Sequence, residues 1–406
     1  MKIFSKLFQG DKVIWMIVAL LALTSLLAVY SATGTYANTR YAGNNTYVLL
    51  RHAATLFIGL VAVYIAHLPK YTFYTRLLCL LLFVSVPLLI YTLAFGVDLN
   101  DAQRTIRIFG ISFQSSDFAK VALIGYLSRE LTVRQDRIHD FKQAFLPLMI
   151  PILLVVGLIF PENFSTAAML FVACMVLLFV GRINMKYLMI FIGGAVLVMS
   201  LYIIIVLNVA EDRKRTGLWL QRVENYIESF KKDDDKDAAE IAKQENEEDY
   251  QIIQSKIAIA GGGLLGKGPG RSTQRNFLPH PYSDFIYALI IEEYGLIGGA
   301  VVMLLYLVLL YRTVLIMTAM PQSYAGFLSF GLAFLMAFQA MINMGVAVGI
   351  LPVTGQPLPF VSMGGSSLMF TGFSIGIILS VSKEVNKSKE KGKGNENEIE
   401  AIQDNN

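Results

Sequence analysis

Apolar residues in this chain come in long unbroken runs parted by short polar connections. They do not alternate as in half-buried strands. Ten runs, near residues 13–33, 47–68, 73–96, 115–131, 144–160, 164–181, 186–208, 285–313, 323–350 and 361–382, reach or approach the roughly 20 residues that cross a bilayer as a helix. Continuous apolarity predicts helices, not the alternating strands of a membrane barrel. The predicted fold is an all-α polytopic membrane protein with about ten transmembrane helices and one large extracytoplasmic loop. Its expected segments are a cytoplasmic N-terminus (1–12), helices 1–7 (13–208), the loop (209–284), helices 8–10 (285–382) and a disordered cytoplasmic tail (383–406).

Composition agrees. Of 406 residues, 55% are hydrophobic and only 16% charged, which excludes an ordinary soluble domain. The first apolar run is span-length and more follow, so it reads as a mature helix, not a cleaved signal. Cys79 and Cys174 both fall inside predicted spans, so neither a disulfide framework nor a thiolate metal site is expected. His52, His67, His139 and His280 are scattered without ligand spacing, and no dedicated metal site is expected.

Charge sets orientation. With a cytoplasmic N-terminus, Lys2, Lys6, Lys12, Lys70, Arg76, Arg129, Arg134, Arg137, Lys142, Arg182, Lys186, Arg312 and the Lys-rich tail fall inside, leaving mainly Arg40, Arg104 and Arg107 outside. The long loop then lies on the outer face. Within it, Leu218, Leu220, Val223, Tyr226, Ile227 and Phe230 recur near helical spacing and predict an amphipathic surface helix over 215–230. A charged insert, 231–250, reads as a solvated excursion, and a short helical pattern after it runs into GGGLLGKGPGRS.

Candidate chemistry clusters at the outer ends of spans. In LPHPYSDFIYALIIEEYG, Asp284 sits where a helix starts, so it or Ser283 can be an N-cap as readily as a reactive acid. Glu292 and Glu293 fall two to three turns further on, where an ionised acid needs an inward partner or a hydrated cavity. Asp117 and Lys120 are three apart and can pair, either neutralising one another or binding substrate. The glycine-rich stretch lacks Walker spacing, because Lys267 is followed by Gly268 and Pro269. It is either a turn or an anion-binding loop in which amides act with Lys267, Arg271 and Arg275. Arg104 and Arg107 add further outer cations suited to a pyrophosphate. The uncharged LPVTGQPLPFVSMGGSSL, dense in proline and glycine, predicts a re-entrant segment.

YQIIQSKIAIAGGGLLGKGPG with LPHPYSDFIYALIIEEYG, and NMGVAVGILPVTGQPLPFVSMGGSSL, together resemble the SEDS family (shape, elongation, division and sporulation) over nearly the whole chain. The resemblance implies a peptidoglycan glycosyltransferase that polymerises lipid II. It implies a class B penicillin-binding protein and other divisome proteins as partners, and no nucleic acid. It makes Asp284 the essential outer-face acid and gives functional weight to Asp117 with Lys120, although the family usually has glutamate, preceded by proline, where Asp117 follows Ser116 here. Asn163 and Met363 are two further departures, from Asp and Tyr. Ser366 closes the family's Ser-x-Gly-Gly-Ser motif and joins the expected substrate-binding set. Thr354 in LPVTG is closer to the division branch, FtsW, than to the elongation branch, RodA.

On this reading Asp284 takes the proton from a sugar 4-hydroxyl as it attacks an anomeric carbon, inverting it and expelling polyprenyl pyrophosphate. Arg104, Arg107, Lys120, Arg271 and Arg275 would meet the leaving charge, with Mg or Mn as a candidate divalent ion and no organic cofactor. Competing readings are a lipid II flippase and a non-catalytic scaffold.

Overall fold

A computed structural model describes residues 8–34, 44–99, 102–108, 111–209, 247–278 and 281–403. The expected amphipathic helix at 215–230 and nearly all of the charged insert lie outside the described residues. Helices occupy all ten predicted spans. They are α1 (Lys12–Ala32), α2 (Asn45–His67), α3 (Tyr71–Phe95), α4 (Ser115–Val133), α5 (Leu146–Ile159, entered through a π-helical turn at Phe141–Phe145), α6 (Phe164–Val180) and α7 (Met185–Val209). After α8 (Glu247–Gly262) come α9 (Ile286–Ala319), α10 (Tyr324–Ala347) and α11 (Ser366–Gln403).

Of the ten helices on predicted spans, α8 not being one, seven are long and apolar enough to cross a membrane, and α6 and α7 are shorter apolar helices. The remaining one, α4, carries Asp117, Lys120, Arg129 and Glu130, which dilute its hydropathy. Asp117, Lys120 and Glu130 are buried in protein, while Arg129, partly exposed, pairs with Glu130 at 3.1 Å.

Two elements differ from the expected layout of ten helices and a disordered tail. A three-stranded antiparallel sheet, β1 (Val97–Leu99), β2 (Ala102–Ile108) and β3 (Ile111–Gln114), joins α3 to α4, and Arg104 and Arg107 stand on β2. β-Branched residues at Val97, Thr105, Ile106, Ile108 and Ile111 favour strand there, and the runs are too short for the apolar pattern to register. The other difference is the tail. Helix α11 continues through the charged segment to Gln403, where lysines and glutamates are good helix formers and Lys387 pairs with Glu384 at 3.3 Å.

Caps and close contacts fix the bundle. Asp11 starts α1 by accepting from Val13 N at 2.8 Å and also receives Arg312 Nε of α9 at 2.7 Å. At the opposite end of α1, Ser31 Oγ donates to Glu293 of α9. The two helices therefore run antiparallel along the full length of α1, about 30 Å, which matches a bilayer core. The end where α1 finishes is called the upper end below. Helices α2 and α11 touch backbone to backbone: a Cβ at Gly372 would fall 2.3 Å from Gly59 O.

Candidate functional site

The upper end gathers the two motifs that are far apart in sequence. Before α9 the chain turns at Pro281–Phe285, and three successive carbonyls of that turn are held by the other motif and its neighbouring helix. Tyr282 O accepts from Met363 N at 2.9 Å, Ser283 O from Ser362 Oγ at 2.6 Å, and Asp284 O from Asn343 Nδ2 of α10 at 2.8 Å. The backbone carrying Asp284 is thus fixed independently of its carboxylate.

The opposing segment is itself anchored carbonyl by carbonyl, as irregular backbone at membrane depth must be. Gln356 O accepts from Asn343 Nδ2 at 2.8 Å, Pro357 O from Gln339 Nε2 at 2.8 Å and Pro359 O from Tyr306 OH at 2.5 Å. Val361 O accepts from Ser25 Oγ at 2.8 Å. Gln356 Nε2 in turn donates to Thr166 Oγ1 at 2.6 Å, beside Asn163, which caps α6 by accepting from Thr166 N. Non-helical backbone over 352–359 agrees with the re-entrant reading, and polar side chains of α1, α6, α9 and α10 hold it.

Asp284 is half-buried, and Ser283 Oγ donates to its Oδ1 at 2.7 Å. It is not the cap of α9. That position belongs to Phe285, and no side chain bonds back to the helix start. The capping alternative therefore fails here: the turn's carbonyls are held by α10 and the re-entrant segment, and no side chain caps the helix.

Glu292 and Glu293 are fully buried with partners, as the membrane cost of an unpaired acid requires. Their depth differs from the sequence reading. Helix α9 is broken at Gly295, with φ 71° and ψ −178°, and Glu293 meets Ser31 at the top of α1. From Gly295 to Arg312, which pairs with Asp11 at the bottom of α1, a helix rises about 25 Å. Both glutamates are thus level with the top of α1, and the stretch of α9 that runs alongside α1 begins near Gly295.

The glycine-rich loop fills the break. Lys267 N and Gly268 N donate to the freed carbonyls of Glu292 and Glu293, both at 2.9 Å, while Leu296 N donates to Gly263 O at 2.9 Å. A Cβ at Gly295 would lie 2.1 Å from Leu264 O, and one at Gly266 would lie 2.2 Å from Glu293 O. Only glycine permits so close a backbone approach. The Glu292 carboxylate then accepts from Lys267 Nζ at 2.6 Å, Thr273 N at 3.0 Å, Thr273 Oγ1 at 2.9 Å, Gln274 N and Ser272 Oγ.

The predicted binding residues therefore separate. Lys267 pairs with Glu292 at 2.6 Å, so the loop cation expected to meet an anion already holds a carboxylate of the chain. Arg271 is exposed on the same loop, and Arg275 Nη1 reaches Gly270 O at 3.2 Å and Ser31 O at 3.4 Å. Asp117 and Lys120 pair at 2.8 Å, both buried, beside a cavity of about 30 Å³ shared with Gln339, Ser367 and Ser374. Gln339 links that cavity to Pro357 of the re-entrant segment. Ser366 is buried and accepts from Gln114 N at 3.0 Å, tying β3 to α11; its hydroxyl holds the scaffold. Sequence reasoning missed Asn343, Ser362 and Gln339. Polar residues inside apolar runs were the available signal.

An open apolar cleft of about 340 Å³ lies between α6 and α10, lined by Phe164, Met169, Phe338 and Ile342 and rimmed by Pro352 and Thr354. Ile342 also packs against the small core that holds Phe285, so the cleft borders the Asp284 turn. Among the described residues no three His, Cys, Asp or Glu side chains converge on a common point that could hold a divalent ion.

Residues 11–387 match the cell cycle protein family of FtsW, RodA and SpoVE. The chain is 32% identical over 381 residues to a probable peptidoglycan glycosyltransferase FtsW of Trichlorobacter lovleyi, covering 93% of this chain and 94% of that protein. It is 32% identical over 390 residues to the stage V sporulation protein E of Bacillus subtilis, covering 93% and 98%. A chain from a peptidoglycan synthase complex that coordinates polymerization and crosslinking superposes with a TM-score of 0.71 at 23% identity, covering 93% of this chain and 98% of that one. The rod shape determining protein RodA of Thermus thermophilus gives 0.64 at 22% identity, covering 92% and 97%.

Proposed function

Because the chain belongs to the FtsW, RodA and SpoVE family of cell cycle proteins, we propose that it is a peptidoglycan glycosyltransferase polymerising lipid II at the outer face of the membrane, with Asp284 as general base. The observation that carries the base assignment is the Asp284 turn. Its backbone is clamped at three carbonyls while the residue itself is only partly buried, in a turn that borders an apolar cleft.

A sugar hydroxyl is a weak nucleophile and needs a base within hydrogen-bond reach as the new bond forms. Asp284 takes that proton, the hydroxyl oxygen bonds to the anomeric carbon of the neighbouring lipid-linked sugar, and the polyprenyl pyrophosphate leaves with inversion. Arg271 and Arg275 face the departing charge, with Arg104 and Arg107 on β2 as further candidates. The polyprenyl chain suits the α6–α10 cleft, whose lining is almost wholly apolar. Any Mg or Mn ion would take most of its ligands from the pyrophosphate oxygens.

The upper end is the extracytoplasmic one on this reading. Arg129, Arg134, Arg182 and Arg312 mark the lower end, which faces the cytoplasm with both termini, as the positive-inside rule requires. A class B penicillin-binding protein is the proposed transpeptidase partner within the divisome. Thr354 and the relatives named FtsW favour septal synthesis. Purified protein with that partner should convert lipid II to glycan polymer, and a well-folded Asp284→Asn variant should not. Full polymerisation by the variant would remove Asp284 from the chemistry.

A further inference from the structure

Most buried or lipid-facing Ser and Thr residues in these helices bond back to their own helix. Thr24 donates to Leu20 O at 2.9 Å, Ser128 to Ile124 O at 2.7 Å, Ser329 to Ala325 O at 2.9 Å and Ser374 to Phe370 O at 2.8 Å. Ser25, the next residue after Thr24, does not. It is fully buried, and its hydroxyl leaves α1 to donate to Val361 O of the re-entrant segment at 2.8 Å.

Something must hold that rotamer against the local alternative. Ser25 Oγ also lies 2.9 Å from Nε2 of His52 on α2, a ring with no solvent exposure. A hydroxyl has one proton, and a carbonyl can only accept. Both contacts are satisfied together only when His52 carries its proton on Nε2 and donates it to Ser25. Nδ1 then holds a lone pair, and it has no hydrogen-bond partner in the structure. A second proton on Nδ1 would be a buried donor without an acceptor, so the neutral ring is the form that fits.

We propose that His52, in its neutral Nε2–H tautomer, is a positioning residue that fixes Ser25 on Val361 O and through it the segment that holds Asp284. The route is short. Val361 precedes Ser362, whose hydroxyl bonds Ser283 O next to Asp284. Loss of the donor frees Ser25 to turn back onto α1, as Thr24 does, and leaves Val361 O without its anchor. Asp284 then shifts against the substrate, and small displacements of a catalytic group are costly in rate.

The proposal rests on the glycosyltransferase reading for its effect on rate, and its test separates the two. The chain has four histidines, so isotope-labelled histidine gives a simple nitrogen NMR spectrum of the full-length protein. One ring should show a fixed Nε2–H tautomer that changes in Ser25→Ala, and His52→Gln should remove that signal. In lipid II polymerisation with the partner present, His52→Leu should lower kcat about tenfold with KM little changed, Ser25→Ala should do likewise, and the double variant should be no worse. His52→Gln, whose amide can donate in place of Nε2, should restore most of the rate. An Nδ1–H tautomer, equal loss in the Gln and Leu variants, or a loss that falls on KM would each overturn the proposal. An inert wild type with the expected tautomer would instead fault the glycosyltransferase reading.

Discussion

Asp284 and Glu292 belong to one short motif, and the fold treats their carboxylates in opposite ways. Glu292 is fully buried and accepts from Lys267, Ser272, Thr273 and Gln274. Asp284 is only partly buried, with Ser283 donating to one oxygen, while its backbone and not its side chain meets Asn343. A carboxylate whose lone pairs are filled by donors holds structure and has no room for a new proton-bearing group. One fixed through its main chain can receive a substrate hydroxyl. Burial and charge alone would point to Glu292; spare acceptor capacity favours Asp284 over it as the proposed base.

The sharpest way to break this contrast is to exchange each acid for an uncharged residue and compare rate with stability. Asp284→Asn should lower polymerisation about 10²–10⁴-fold, the usual contribution of a general base, with little change in melting temperature. Glu292→Leu should behave in reverse order: stability falls first, by about 3 kcal/mol, because Lys267 and the loop donors lose their acceptor. That figure sits at the low end for a buried pair, since the Lys267 side chain is 33% exposed. A stable but inactive Glu292→Leu would merge the two acids into one functional class.

Next in size is the break that brings the loop to Glu292. Gly295→Ala should cost about 1–3 kcal/mol from its left-handed φ alone, and more from the clash with Leu264 O. Thermal unfolding in detergent reads this directly. Asn343→Ala should cost about 1–3 kcal/mol through two carbonyls left without donors. It should also lower rate, because one of those carbonyls belongs to Asp284. A rate unchanged in Asn343→Ala would show that the clamp on Asp284 is redundant.

The sequence carried the helices because ten apolar runs dominate the energetics, and each became a helix. It pointed to Asp284 only through the family resemblance, since its own residue pattern allowed a helix cap equally well. It did not carry the small sheet, whose strands are too short for periodicity, or the break in α9, because a glycine inside an apolar run reads as tolerated helix. The depth of Glu292 and Glu293 was misjudged for the same reason. The clamp on Asp284 was invisible because its donors, Asn343 and Ser362, are single polar residues whose partners lie far along the chain. Hydrogen bonds at such separations follow from the packing of helices, not from any local pattern.

The smallest expected effect gives the finest test, because Lys267 and Arg271 look alike in sequence: two cations in one glycine-rich loop. Lys267 ends on Glu292 and Thr273, whereas the Arg271 side chain is exposed above the helix break. Lys267→Met should therefore act like a milder Glu292→Leu, lowering thermal stability and exposing the loop to protease. Arg271→Met should leave stability unchanged and raise KM for lipid II by a few-fold at constant kcat, the signature of lost uniform binding to an anionic group. Added salt should shrink the Arg271 effect, since an exposed charge is screened, and leave the Lys267 effect largely intact. If both variants instead raised KM alone, Lys267 would belong with the substrate, and the glycine loop would be an anion site as much as a clasp on α9.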